Sequence, residues 1–129
     1  MVNFENDYIF GSENQKLVLP QIIEHFKRNI KENEERYAKY DFEDDLFNYE
    51  LKTRKNTLNK YPDTMITMNK LKKGKKGLIL LFSFTDHLAY IEYEPELFKT
   101  FRTSNFSRAQ IEEDKKMHIY IPIQHLTII

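Results

Sequence analysis

A chain of 129 residues is the length of one domain, enough for a single hydrophobic core and too short for a separate substrate domain. Its 20 Lys and Arg residues balance 20 Asp and Glu residues, so no global positive field draws in nucleic acid, and such binding would have to rest on local basic patches. Cysteine is absent, which excludes disulfides, thiolate catalysis and zinc–cysteine sites and fits a reducing compartment.

The amino terminus has no basic region followed by an apolar run, and no segment approaches membrane-spanning length. The expectation is a soluble, untargeted, intracellular protein. Ser12-Glu-Asn-Gln15 reads as a capping box that opens a helix near Glu13. Val18, Ile22, Phe26 and Ile30 recur every four residues, with Leu19 and Ile23 beside them, and this apolar stripe predicts a helix to about residue 32. Pro20 falls inside the stripe and should kink it or mark a second start. Lys31 to Arg36 is a charged link.

Tyr37 to Arg54 reads as two strands around the turn-prone Glu43-Asp44-Asp45. In the second strand Phe47, Tyr49, Leu51 and Thr53 alternate with Asn48, Glu50, Lys52 and Arg54, and a period of two sends the two sets to opposite faces. An antiparallel pairing with a loop of Asp45-Leu46, or of Asp44 to Phe47, sets Asp41 opposite Glu50. Either loop puts Asp41, Glu50 and Lys52 on one face.

Farther on, Tyr61-Pro62-Asp63-Thr64 can end a loop and start a short helix carrying Met65, Ile66 and Met68, before the basic turn Lys72 to Lys76. Gly77 to Thr85 and Leu88 to Tyr93, separated by Asp86-His87, read as a second hairpin in the central part of the sheet. A short helix is expected after Pro95, and Ile119 to Ile123 suggests a final edge strand, where Pro122 is tolerated. The 3 glycines cannot form a P-loop or a dinucleotide fingerprint. His25, His87, His118 and His125 have no short metal-ligand spacing.

Glu50-Leu51-Lys52 is a literal Glu-x-Lys on a strand preceded by an aspartate-bearing strand, and in this the chain resembles the PD-(D/E)xK nuclease superfamily. The residue before Asp41 is Tyr40, so the Pro-Asp dipeptide of that family is missing, and Asp44 and Asp45 are rivals for the first acid. Tyr49 to Arg54, followed by Tyr61-Pro62 and Asn69-Lys70, is similar to small nucleases encoded by large DNA viruses.

The resemblance implies an α/β domain of restriction-endonuclease-like fold, with a mixed central sheet flanked by helices, acting on DNA with Mg²⁺ or Mn²⁺. It implies Asp41 and Glu50 as carboxylate ligands, the Leu51 carbonyl as a third, and Glu13 on the first helix as a further ligand, with Glu24 as its alternative. Lys52 would orient or help deprotonate the attacking water and stabilise developing charge. Arg54, Lys70, Lys72, Lys73, Lys75 and Lys76 are candidate phosphate contacts. Duplex DNA is reached on both strands most simply by a homodimer. A half-exposed strand also alternates apolar with charged residues, so the tripeptide alone is a weak signal and the constellation carries the reading. The alternative is a protein- or nucleic-acid-binding module that keeps the fold without turnover.

Overall fold

A computed structural model describes residues 4–35, 38–72, 74–106 and 116–129. Helix α1 (Phe4–Phe26) is followed by β1 (Lys31–Glu32), β2 (Phe42–Glu43), β3 (Phe47–Thr53) and β4 (Asp63–Thr67). Next come a 3₁₀ turn (Met68–Lys70), β5 (Gly77–Ser83), β6 (Leu88–Glu92), the short α2 (Pro95–Phe98), β7 (Thr103–Phe106), β8 (Lys116–Pro122) and β9 (Thr127–Ile128). Six strands form one sheet in the order β1-β2-β3-β5-β6-β9, and β4-β8-β7 form a second. The large sheet is mixed: β3 and β5 run parallel, and its other pairs are antiparallel.

Strand β5 divides the interior by simple alternation. Ile79 and Leu81 join Val18 and Ile22 of α1 with Tyr49 and Leu51 of β3, whereas Leu78, Leu80 and Phe82 meet Ile66, Ile119 and Ile121 of the second sheet. A helix therefore covers one face of the large sheet and a second sheet the other. The mixed α/β character matches the expectation from sequence; α1 covers one face, and on the other the short α2 adds Phe98 to the core beneath the second sheet.

Several elements differ from the sequence reading. Helix α1 begins by Phe4, so Ser12-Glu-Asn-Gln15 lies within it and is no cap, and it passes through exposed Pro20 uninterrupted. It ends at Phe26 because Lys27 takes φ 56°, the left-handed conformation that terminates helices, and Ile30 reaches the core from beyond it. The expected helix after Pro62 is strand β4, whose alternation buries Thr64 and Ile66 and which pairs with β8. Strand β8 is the middle of its sheet rather than an edge, and Pro122 is accommodated at its last position. The β5–β6 hairpin and a short helix starting at Pro95 form as expected.

Candidate active site

The β2–β3 hairpin closes through the Asp44 amide, which donates to the Phe47 carbonyl at 2.9 Å around the two-residue loop Asp45-Leu46. Asp44 Oδ1 accepts the amides of Leu46 and Phe47, each at 2.8 Å, which is how an aspartate fixes a tight turn. Its buried carboxylate also receives Arg28 Nε at 2.6 Å, Arg28 Nη2 at 3.1 Å and the Tyr49 hydroxyl at 2.5 Å. Burial alone would push Asp44 up, but Arg28, Tyr49 and the two amides together hold it well below the usual carboxylate range. Asp44 is thus a turn anchor, and Asp45 is exposed at the loop.

Pairing of Phe42 with Tyr49 continues the register that sets Asp41 beside Glu50. The ladder is out of step there, since the Asp41 amide donates to the Tyr49 carbonyl at 3.0 Å. Strict alternation also breaks: Tyr40 packs in the core toward the second sheet and Phe42 in the core toward α1. This is the behaviour of a bulge, which re-aims a side chain at a strand edge. Asp41 Oδ2 consequently accepts the Leu51 amide at 2.8 Å, and Oδ1 accepts Gln15 Nε2 of α1 at 2.7 Å.

Glu50 and Lys52 are register partners of Leu80 and Phe82, so they stand on the face covered by the second sheet, with Tyr49 and Leu51 opposite as the alternation predicts. Glu50 is 4% exposed. Its Oε1 lies 3.8 Å from Lys52 Nζ and its Oε2 lies 3.5 Å from Lys70 Nζ, yet Oε2 has no hydrogen-bond partner among the described residues. Burial, helped by the negative charge of Asp41, pushes the Glu50 carboxyl up to about 7 against the pull of both lysines. Burial, with Lys70 and Arg54 nearby, draws the Lys52 ammonium below its ordinary value despite Glu50.

The other candidate residues are placed unequally. Glu13 is exposed on α1, and Glu24 is exposed and pairs with Lys27 one turn on. Among the described residues, the helix side chains that hydrogen-bond to the hairpin are Gln15, on Asp41, and Asn14, whose Nδ2 donates to Thr53 Oγ1 at 2.9 Å. Extending the buried pair Val18 and Ile22 back by three or four residues would have pointed to them. Arg54 is committed inward, donating to Thr64 Oγ1 at 3.2 Å and to the Met65 carbonyl, and so ties β3 to β4. Lys72 and Lys75 are exposed, Lys76 pairs with Glu43 at 3.3 Å, and Lys73 lies outside the described residues.

Lys70 ends the 3₁₀ turn beyond β4, and the turn is anchored over the site by the Tyr40 hydroxyl, 3.1 Å from the Lys70 carbonyl and 3.3 Å from that of Lys72. An open cleft of ≈ 830 Å³ runs along β1 and β2, lined by Glu32, Glu43, Lys39, Tyr40 and Asn48 among others, and Asp41, Glu50, Lys52 and Lys70 are not part of its lining. No group of three or more His, Asp and Glu side chains converges on one point among the described residues. Asp41 and Glu50 are near enough for the charge of one to raise the other, and of their four oxygens Glu50 Oε2 is buried without a hydrogen bond among the described residues.

No protein-family model, curated protein or solved structure matches this chain. Among the described residues, no helix is long and apolar enough to cross a membrane.

Proposed function

We propose that this protein is a Mg²⁺- or Mn²⁺-dependent nuclease that hydrolyses phosphodiester bonds in DNA, with Asp41 and Glu50 as carboxylate ligands and Lys52 as the catalytic ammonium. One observation carries the reading: the fold buries Glu50 between its two sheets with Oε2 lacking a hydrogen bond among the described residues, beside a second carboxylate and a desolvated lysine. Burial of an unsatisfied carboxylate is costly unless a ligand completes it. A divalent ion bound there would neutralise charge on the scissile phosphate and lower the pKa of an attacking water.

The chain's own groups supply the rest. Gln15 and the Leu51 amide fix the orientation of Asp41 through its two oxygens. Leu51 is held by that same bond, and the family resemblance makes its carbonyl the third ligand. Lys52 sits on the strand two residues from Glu50, where burial draws its ammonium below the ordinary value and its charge stabilises negative charge developing on phosphate. A two-fold dimer would present a second such site to the opposite strand of a duplex.

Separating the roles tests the assignment. Asp41→Asn and Glu50→Gln should lose both Mn²⁺ affinity and cleavage. Lys52→Ala should keep most of the metal affinity and slow cleavage by about 10²-fold or more. Intact Mn²⁺ binding in both carboxylate variants would remove the metal site. A wild-type protein that binds DNA without cutting it would support the binding-module reading.

A further inference from the structure

Among the described residues two carboxylates are buried, and they are satisfied in opposite ways. Asp44 receives five hydrogen bonds, from Arg28, Tyr49 and two turn amides. Glu50, equally buried, has two ammoniums at 3.5 and 3.8 Å, and its Oε2 takes no hydrogen bond among the described residues. Lys52 belongs to the same strand as Glu50, but Lys70 comes from the turn that follows β4. The backbone of Lys70 is anchored by the Tyr40 hydroxyl, while its side chain is 30% exposed on four rotatable bonds. Its ammonium also donates to the Lys39 carbonyl at 2.9 Å, an acceptor that water can replace.

We propose that Lys70 is a displaceable counter-ion: it occupies the cation position beside Glu50 in the free protein and moves onto a phosphate of the incoming strand, so that divalent-ion binding depends on nucleic acid. This rests on the metal reading of Asp41 and Glu50. A divalent ion on Glu50 Oε2 would lie close to the Lys70 ammonium, and repulsion between cations so near in a poorly solvated site weakens binding. A phosphate oxygen offers Lys70 a charge-assisted hydrogen bond in exchange, and its departure exposes the oxygen that the ion needs. Coupling is reciprocal, so the ion also tightens the strand. Lys70 acts here through Glu50 and the phosphate, as a positioning residue.

Calorimetric titration with Ca²⁺, alone and with a short single-stranded oligonucleotide, tests this on the full chain. Wild type should bind Ca²⁺ roughly tenfold more tightly when the oligonucleotide is present. Lys70→Gln and Lys70→Met should bind Ca²⁺ more tightly than wild type without DNA and lose most of the gain on adding it. Lys70→Arg should restore the coupling, and Lys99→Gln, which removes a distant exposed charge, should leave it unchanged. Equal Ca²⁺ affinity in wild type and both neutral variants without DNA would overturn the proposal and leave the metal site standing. Absence of Ca²⁺ binding in every variant, with and without oligonucleotide, would overturn the metal site and this proposal together.

Discussion

Glu50 and Asp44 are both carboxylates on one hairpin, and their surroundings push them in opposite directions. Asp44 is depressed, so its stabilising contribution is present above the ordinary carboxylate pKa of 3.8 and is lost as the pH falls toward its folded value. Asp44→Ala leaves Arg28 and two turn amides without their acceptor and should cost roughly 2–4 kcal/mol in urea denaturation at pH 7. Glu50 is raised from 4.5 to about 7, so the folded state binds the extra proton and stability declines as the pH climbs between those values, then levels off. Glu50→Gln should therefore stabilise the protein at pH 8, by at most about 3 kcal/mol, and have little effect near pH 4. A loss of stability at pH 8 in that variant would mean that Glu50 is a structural residue.

At the scale of elements, β5 carries the interior of the molecule on both faces. Leu80→Ala empties the space between the two sheets and should cost about 2–5 kcal/mol, whereas Leu17→Ala on α1, at 68% exposure, should change stability by less than about 0.5 kcal/mol. Thermal and chemical unfolding of the pair check this contrast. Gly77 is also constrained, because a Cβ there would lie 2.7 Å from the Phe47 ring. The alternation of β3 and the β5–β6 hairpin were legible in the sequence because local patterning and turn chemistry decide them, whereas of the two loops compatible with the β2–β3 pairing the structure selects Asp45-Leu46. Strand β4 was not, because its alternation acquires meaning only from pairing with β8, more than fifty residues later. The bulge at Asp41 was equally hidden. A period of two assigns Tyr40 and Phe42 to one face, and only the competition between two cores pulls them apart. Gln15 and Asn14 were overlooked for a different reason: a carboxylate was sought on the helix, and amides are there.

For the whole molecule, zero formal net charge means that any affinity for DNA must come from a local cluster. Arg54 is spent inside the fold and Lys70 is a single charge assigned to one phosphate, which leaves the run of Lys72, Lys73, Lys75 and Lys76 as the basic cluster to test. Replacing these four lysines with glutamine should weaken DNA binding across sequences and lower the salt dependence by roughly one unit of slope for each phosphate no longer neutralised. An unchanged slope would place the DNA-binding surface elsewhere. The central claim, that Asp41, Glu50 and Lys52 make this protein a nuclease, is met most directly by incubating purified wild type and Glu50→Gln with labelled plasmid, single-stranded and branched DNA at pH 8, with Mg²⁺ or Mn²⁺ and with chelator. Metal-dependent cleavage of at least one substrate by wild type, absent in Glu50→Gln, is the predicted result; no cleavage of any substrate by wild type, or equal cleavage by the variant, would contradict it.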